Sequence, residues 1–253
     1  MITIIIIGSG NLAQHLIRSF LTSKEVDLVQ VFSRQKESLS SLMDSSKIID
    51  NLADLALADL YILAISDDAI ASVSAQLPFE SRLVIHTAGS VSMDSLDKKN
   101  RRGVLYPPQT FSKNRTINFS EITICLEIEN EADYPILEKS ARVLSDKVER
   151  INEEQRKALH VSAVFVNNFV NHLYQIGNEI CLNNKLSLEI LKPLIIETAH
   201  KLDSLSPIGA QTGPAIRNDF QTIERHLSFL KEDNQRNIYK TLTQSIQDHG
   251  KKL

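Results

Sequence analysis

Two glycines and an alanine near the start of the chain have the spacing of a phosphate-binding turn. Gly8, Gly10 and Ala13 directly follow four consecutive isoleucines. The first glycine allows a tight turn, the second lets the backbone approach a pyrophosphate, and the small third residue lets the next helix pack closely on the strand. The N terminus of that helix would present free N–H groups and a positive dipole to the phosphates. The pattern therefore predicts a dinucleotide site.

The elements around this turn are those that a dinucleotide site requires. Residues 4–7 are typical of a buried parallel strand, residues 11–21 have the apolar spacing of an amphipathic helix, and residues 27–32 are typical of a second strand. Without this context the glycines would fit a turn in some other α/β domain. The predicted fold is α/β, with an N-terminal Rossmann-type parallel-sheet domain over residues 1–151 and an all-helical substrate and dimerisation domain over residues 152–253.

Two residues after the second predicted strand bear on the choice of nucleotide. An NAD-specific site usually places Asp or Glu about 20 residues beyond the glycines. This chain has Ser33 and Arg34 there instead. Ser33 can hydrogen-bond to a 2′-phosphate, and Arg34 can pair with it. NADP is therefore favoured over NAD, with the alternative that Arg34 is only a solvated loop charge.

Further candidates lie at the carboxyl ends of predicted strands, where open α/β sheets bind ligands. One strand-like run ends at Ile65 and Ser66, and another leads to His86 and Thr87. The imidazole of His86 would either donate to a carbonyl oxygen near the nicotinamide or hydrogen-bond to a loop backbone. The predicted cofactor-binding residues are Gly8, Ser9, Gly10, Asn11, Leu12, Ser33, Arg34, Ile65, Ser66 and Thr87.

The second half of the chain begins with a long helical stretch, residues 153–181, that is apolar on most of its circumference. Such a helix is typical of a bundle core or a subunit interface. His160, Asn167 and Asn171 recur on one face of it at α-helical spacing. This polar stripe would either form an internal network or line a polar cavity. We expect His160 to be an acid/base, Asn168 or Asn167 to orient a substrate, and His86 to assist.

Near the C terminus, the segment that begins at residue 212 predicts another helix, with Pro214 in its first turn. On that helix Asp219 and His226 would share a face with apolar residues. The pattern favours a buried structural pair at an interface for them.

Composition excludes several classes of function. The 253 residues carry a formal net charge of −3, so neither nucleic acid nor an anionic membrane is an expected partner. No apolar stretch approaches the roughly 20 residues that span a bilayer, and the first apolar run lacks the flanks of a signal peptide. Cys125 and Cys181 lie far apart without metal-ligand spacing. We expect a cytoplasmic protein with no metal site and no disulfide.

Several motifs together resemble a known group of enzymes. Residues 8–13, 32–34 and 62–70 are similar to those of NADP-binding Rossmann oxidoreductases with an appended helical domain, such as pyrroline-5-carboxylate reductase, ketopantoate reductase, the β-hydroxyacid dehydrogenases and the deazaflavin-dependent NADP reductases. Residues 86–89, 106–111 and 212–219, with His160 and Asn168, resemble a branch of this group that has no assigned substrate. The resemblance implies a homodimer in which the helical domains pack together.

The chain departs from this group at its catalytic positions. The hydroxyacid dehydrogenases and ketopantoate reductases carry a lysine on the first interdomain helix and an asparagine four residues later, where this sequence has His160 and Val164. The leading hypothesis is an oxidoreductase that transfers hydride between NADPH and a small carbonyl or imine substrate. The missing lysine and asparagine support the alternative, a regulatory or scaffold protein that binds NADP without turning it over.

Overall fold

The computed structural model describes residues 1–113 and 115–250. Within them, one eight-stranded sheet has the order β3-β2-β1-β4-β5-β6-β7-β8, which confirms the predicted α/β class. The strands are β1 Ile2–Ile7, β2 Val26–Phe32, β3 Ile48–Ile49, β4 Leu60–Leu63, β5 Leu83–His86, β6 Arg101–Tyr106, β7 Ile124–Ile128 and β8 Val148–Arg150. The α-helices are α1 Asn11–Thr22, α2 Ile70–Ala75, α3 Tyr134–Arg142, α4 Glu153–Ala163, α5 Val170–Asn183, α6 Lys192–His200, α7 Phe220–Phe229 and α8 Asp233–Gly250. A π-helical segment, Val164–Phe169, joins α4 to α5.

The isoleucines of β1 form the centre of the sheet's core. Ile4 and Ile6 pack on the face that α1 and α3 cover, whereas Ile5 and Ile7 pack on the opposite face with residues of α2. All four side chains are fully buried. Burial on both faces explains why this strand is a continuous apolar run rather than an alternating one.

One pairing in the sheet departs from the expected parallel arrangement. β6 and β7 are antiparallel, while all other neighbouring strands are parallel. A parallel neighbour would need a long crossover, which is usually an α-helix. In its described part, the connection over residues 107–123 has no α-helix, only the short 3-10 turn Phe119–Glu121. The chain therefore returns alongside β6 in the opposite direction.

The chain divides into two compact units, Met1–Asn167 and Asn168–Leu253. The first contains the sheet and α1 to α4, and the second contains α5 to α8. The first unit extends beyond residue 151, where the sequence places the end of the nucleotide domain. The reason is that α4 is attached to the sheet, most directly through an ion pair between Arg156 and Glu127 of β7.

The helix expected from residue 214 begins later. α7 starts at Phe220, and Asp219 caps it by accepting a hydrogen bond from the backbone N–H of Thr222 at 3.1 Å. Asn218 has a φ of 53°, which breaks the helical path just before the cap. Asp219 and His226 do not pair with each other in the single chain, because His226 is exposed and bonds to the hydroxyl of Tyr239 at 2.8 Å. Their burial at an interface stays a prediction.

The long stretch over residues 153–181 is helical as predicted, but much of its apolar surface is exposed in the single chain. Val161 and Val166 are 56% and 75% exposed, so at these positions the helix is not enclosed within its own chain, and burial in a subunit interface stays a prediction. The π-helical segment has wider turns than an α-helix. α-Helical spacing therefore does not place His160 and Asn167 on one face.

No helix in the described ranges combines the length and apolar character that crossing a bilayer requires.

Candidate functional site

A cleft of about 760 Å³ lies at the carboxyl ends of β1, β2, β4 and β5. The loops that follow these strands form most of its lining, as open α/β sheets favour. All ten residues of the predicted cofactor set line this cleft. The sequence did not indicate a contribution from α2 and the residues that flank it, which add Ala69, Ser72, Val73 and Gln76 to the lining. Nothing in the sequence fixes which face of this short helix is turned toward the cleft.

The two glycines of the first turn have different structural roles. Gly8 has a φ of +132°, and a Cβ there would lie 2.2 Å from the carbonyl oxygen of Ala64. Only glycine fits this close approach of two loops. Gly10 has an ordinary φ of −67°, and a Cβ there would have no atom within 4 Å. The space in front of Gly10 is therefore open, at the start of the twelve-residue helix α1.

Hydrogen bonds brace the turn from both sides. The side-chain amide of Gln14 donates to the carbonyl of Ser9 at 3.0 Å, and that of Asn11 donates to the carbonyl of Phe111 at 2.9 Å. Asn11 lines the cleft, but its amide group is engaged in holding the 111–112 segment against α1. The groups of the turn that stay available to a phosphate are therefore its backbone N–H groups.

At the end of β2, only one of the two predicted side chains is free. The Ser33 hydroxyl donates to the carbonyl of Gln35 at 3.0 Å and accepts from its N–H at 3.1 Å, so it shapes the loop. Lys36 pairs with Asp50 at 2.9 Å. Arg34 is exposed, and its guanidinium makes no hydrogen bond or ion pair with any described residue. Arg34 is therefore the cation available to an anionic ligand in this cleft.

His86 lies behind the cleft rather than in it. Its side chain is fully buried, and Nδ1 accepts a hydrogen bond from the N–H of Ala88 at 3.2 Å. This contact matches the loop-backbone alternative for His86, whereas the next residue, Thr87, lines the cleft. Burial, assisted by the positive charge of Arg156, lowers the pKa of His86 to about 4. The imidazole is therefore neutral at pH 7.

A tyrosine and a histidine from distant parts of the sequence form a pair. Tyr106 ends β6, and its hydroxyl lies 3.2 Å from Nδ1 of His160 on α4. Tyr106 is 7% exposed and burial raises its pKa, whereas His160 is half-buried. A Cβ on Gly89 would lie 2.5 Å from Nδ1 of His160 and 2.8 Å from the Tyr106 ring, so only glycine allows this packing.

Sequence reasoning singled out His160 and missed Tyr106. A tyrosine at the carboxyl end of a strand, just before Pro107 and Pro108, is a usable signal, but its partner depends on how α4 packs. Asn167 and Asn168 both lie in the π-helical segment, are exposed, and make no side-chain hydrogen bond with a described residue. Such π-helical turns are often found at functional sites. The roles of Asn167 and Asn168 stay predictions.

Comparison with known proteins agrees with this site. Residues 3–89 match the family described as NADP oxidoreductase, coenzyme F420-dependent, and residues 122–246 match a domain of unknown function, DUF2520. No curated protein matches the chain at a significant level. The cleft, its glycine turn and the order of the sheet define a Rossmann-type dinucleotide-binding protein.

Solved structures identify the family. A Bacteroides fragilis protein assigned to the NADP oxidoreductases is 38% identical, with 98% of each chain covered and a TM-score of 0.87. The chain therefore belongs to this NADP oxidoreductase family, which confirms the resemblance and, at the level of the family, NADP as the cofactor.

More distant structures share the fold. A reductive aminase from Aspergillus terreus, in complex with NADPH and ethyl levulinate, is 13% identical over 98% of this chain and 94% of its own, with a TM-score of 0.72. A pyrroline-5-carboxylate reductase from Coxiella burnetii is 17% identical over 99% and 98%, with a TM-score of 0.56.

Burial of neutral His86 predicts a specific dependence of stability on pH. The pKa of about 4 in the folded chain lies below the ordinary 6.5, so the unfolded chain binds more protons between these values. Titration of His86 therefore does not lower the free energy of unfolding above pH 6.5, but lowers it progressively as the pH falls from 6.5 toward 4. His86→Asn keeps an acceptor for the Ala88 N–H but does not titrate.

We expect His86→Asn to reduce the loss of unfolding free energy over this pH range by up to about 3 kcal/mol. Denaturant titrations of both proteins at several pH values measure the difference. An unchanged pH dependence in the variant would contradict the burial of a neutral His86.

Proposed function

We propose that the protein is an NADPH-dependent reductase of a small carbonyl or imine compound. The observation that carries the proposal is the composition of the cleft, where open space at Gly10 and the unpaired Arg34 occur together. Open space beside the first turn of a helix suits a pyrophosphate, and a free guanidinium suits a 2′-phosphate. The residues present therefore fit the cofactor of the family.

Different residues of the chain would bind different parts of NADPH. Backbone N–H groups of the turn at Gly8 and Gly10 would hold the pyrophosphate, and Arg34 would hold the 2′-phosphate. Ile65, Ser66 and Thr87 would border the rest of the dinucleotide. When bound, NADPH supplies the hydride.

The proton would come from His160. Because burial raises the pKa of Tyr106, its hydroxyl stays protonated at neutral pH. A hydroxyl can accept a hydrogen bond, so Tyr106 can accept from Nδ1–H of the His160 imidazolium and also of the neutral form that remains when Nε2 has given up its proton. Nε2 carries the proton to be donated and makes no hydrogen bond with a described residue. A positioned imidazolium of this kind can act as a general acid.

The reaction then balances as a two-electron reduction. With the hydride supplied to the substrate carbon, the π-electrons of C=O or C=N would move to the oxygen or nitrogen, and His160 would donate its Nε2 proton to that atom. The imidazole regains its proton from solvent. Names among the structural neighbours, a reductive aminase and a pyrroline-5-carboxylate reductase, support a small C=O or C=N substrate.

The binding of the 2′-phosphate by Arg34 is testable by calorimetry. Arg34→Ala removes a charge-assisted contact that is worth about 1.5 to 3 kcal/mol, so NADPH affinity should fall roughly ten- to hundredfold. NADH lacks the 2′-phosphate and its affinity should not change. Lys36→Ala is the matched control, since Lys36 is paired with Asp50. Equal NADPH affinity in the Arg34 variant and the wild type would mean that Arg34 is only a solvated charge.

The proton-donor pair is testable by kinetics with keto acids, aldehydes and imines, with NADPH consumption followed by absorbance. His160→Ala should lower kcat by about a hundredfold or more and Tyr106→Phe by about tenfold, with NADPH affinity retained. A second histidine and tyrosine pair offers a control, because His226 also bonds through Nδ1 to the hydroxyl of Tyr239. His226→Ala and Tyr239→Phe should leave kcat unchanged.

Two results would count against this mechanism. Full turnover by His160→Ala would remove His160 from the reaction. Tight NADPH binding by the wild type without turnover of any compound in the panel would instead favour a non-catalytic, NADP-binding regulatory or scaffold protein.

We also propose a cytoplasmic homodimer. Both cysteines are buried free thiols, which suits a reducing compartment. In the second unit, large apolar side chains are exposed on α5, on α6 and between them. Each of the following residues is more than half exposed: Leu182, Leu186, Ile190, Leu194 and Ile196. Monomeric soluble proteins rarely expose so many together. A second copy of the chain is the occupant that the resemblance to dimeric reductases supports.

Light scattering tests the dimer. The wild type should have the mass of two chains, and Ile190→Glu with Leu194→Glu should halve it, because a charge at an apolar interface is costly. Leu57→Glu is the control, since Leu57 is 69% exposed but belongs to the first unit. A wild-type monomer at micromolar concentration would contradict the proposal.

A further inference from the structure

Arg156 is a buried charge that the reaction described above does not use. Its side chain is fully buried, which is rare for arginine because removing a guanidinium from water is costly. It forms an ion pair with Glu127 of β7, from Nε to Oε2 at 3.0 Å. The pair balances the charge but does not explain why an arginine stands there, since a well-packed apolar residue is often as stabilising as a buried ion pair.

The remaining contacts of Arg156 all go to one loop. Nη1 donates to the backbone carbonyls of Ala88, Gly89 and Val91, at 3.1, 3.0 and 2.7 Å. These residues belong to the segment over residues 87–92 that follows β5, which we call the 87–92 loop. The planar guanidinium is a fork that binds Glu127 through Nε and the loop carbonyls through Nη1, so it joins β7 to the loop at a fixed geometry that the single ammonium group of a lysine cannot reproduce.

The 87–92 loop contacts the proton-donor pair directly. Gly89, one of the three residues held by Arg156, packs so closely against His160 and Tyr106 that a Cβ would overlap both rings. Arg156 and His160 are four residues apart on α4 and therefore lie on the same side of the helix. A shift of the Gly89 backbone would change the space that holds the His160 ring.

The same loop also reaches the cofactor cleft. Thr87 lines the cleft, and the hydroxyl of Ser90 donates to Asp67 at 2.7 Å, next to the cleft residue Ser66. At its other end, the hydroxyl of Ser92 donates to Glu153 of α4 at 2.8 Å. The loop is therefore attached both to the segment that borders the cleft and to the helix that carries His160.

We propose that Arg156 is a positioning residue, which holds the 87–92 loop against α4 and thereby sets the hydrogen bond between His160 and Tyr106. The proposal rests on the proposed function for its catalytic meaning. The orientation of the His160 imidazole can be measured whether or not the protein turns over a substrate. Alignment of a proton donor to within an ångström is decisive for rate.

The first test is the NMR signal of the His160 side chain in ¹⁵N-labelled protein, assigned by comparison with His160→Ala. Arg156→Gln removes the charge and the fork, and Arg156→Lys keeps the charge and removes the fork. In both variants we expect the Nδ1 and Nε2 shifts of His160 to move toward those of Tyr106→Phe, which lacks the hydrogen bond. Arg156→Lys keeps the test available if Arg156→Gln does not fold.

Arg102→Gln is the matched control. Arg102 is also buried and bonds to carboxylates, Glu129 and Asp94, but it makes no hydrogen bond to the 87–92 loop within the described residues. It should lose stability without moving the His160 signals. Unchanged His160 shifts in folded Arg156→Lys, or equal changes in Arg102→Gln, would overturn the proposal.

Kinetics give the catalytic readout with the same proteins. Arg156→Lys should lower kcat by about tenfold or more and alter its pH profile, with the Kd for NADPH retained. Arg102→Gln should keep kcat and the pH profile. If the wild type shows no turnover, the proposed function fails while the NMR result still decides the role of Arg156. Normal kcat in Arg156→Lys would overturn the catalytic part.

Discussion

Close backbone packing at the carboxyl edge of the sheet is the constraint on which the site depends. The loops after β1 and β4 approach so closely that Gly8 has no room for a side chain beside Ala64. The loop after β5 is equally close to α4, where Gly89 lies against His160 and Tyr106. The first contact shapes the entrance to the cleft at Gly10, and the second places an imidazole near the same edge.

Buried polar groups give this edge its rigidity. Arg156 is desolvated, and three carbonyls and one carboxylate compensate part of that cost. His86 is buried without charge behind the same loop. Fully enclosed polar contacts of this kind tolerate little displacement, because each lost hydrogen bond leaves a buried group unsatisfied. The arrangement favours one loop conformation, as the proposed role of His160 as a proton donor requires.

Local patterns in the sequence predict much of the nucleotide half. The isoleucine run, the glycines and the first helix agree with β1, the turn and α1, since strand, turn and helix are each encoded by neighbouring residues. The predicted cofactor residues meet in one cleft because the carboxyl ends of parallel strands share an edge. Free Arg34 and turn-forming Ser33 could be distinguished only by the hydrogen bonds of the folded loop.

Features that depend on distant partners could not be predicted in this way. The antiparallel pairing of β7, the contact between Tyr106 and His160, and the burial of Arg156 all depend on how α4 and β7 pack on the sheet. The π-helical segment also disrupts the periodicity that linked His160 to Asn167. In the second unit, Asp219 is a helix cap rather than a core residue, because the chain turns at Asn218 before α7 begins.

Calorimetry of Gly10→Ala with NADPH tests whether NADP(H) lies against the turn at Gly10. A Cβ at Gly10 meets no atom within 4 Å, so the variant should unfold at the same temperature as the wild type. The added methyl group would occupy the space of the pyrophosphate, and NADPH affinity should fall by about tenfold or more. Gly177→Ala, equally open but in the second unit, should bind normally. Equal affinity in Gly10→Ala and the wild type would mean that NADP(H) does not lie against this turn.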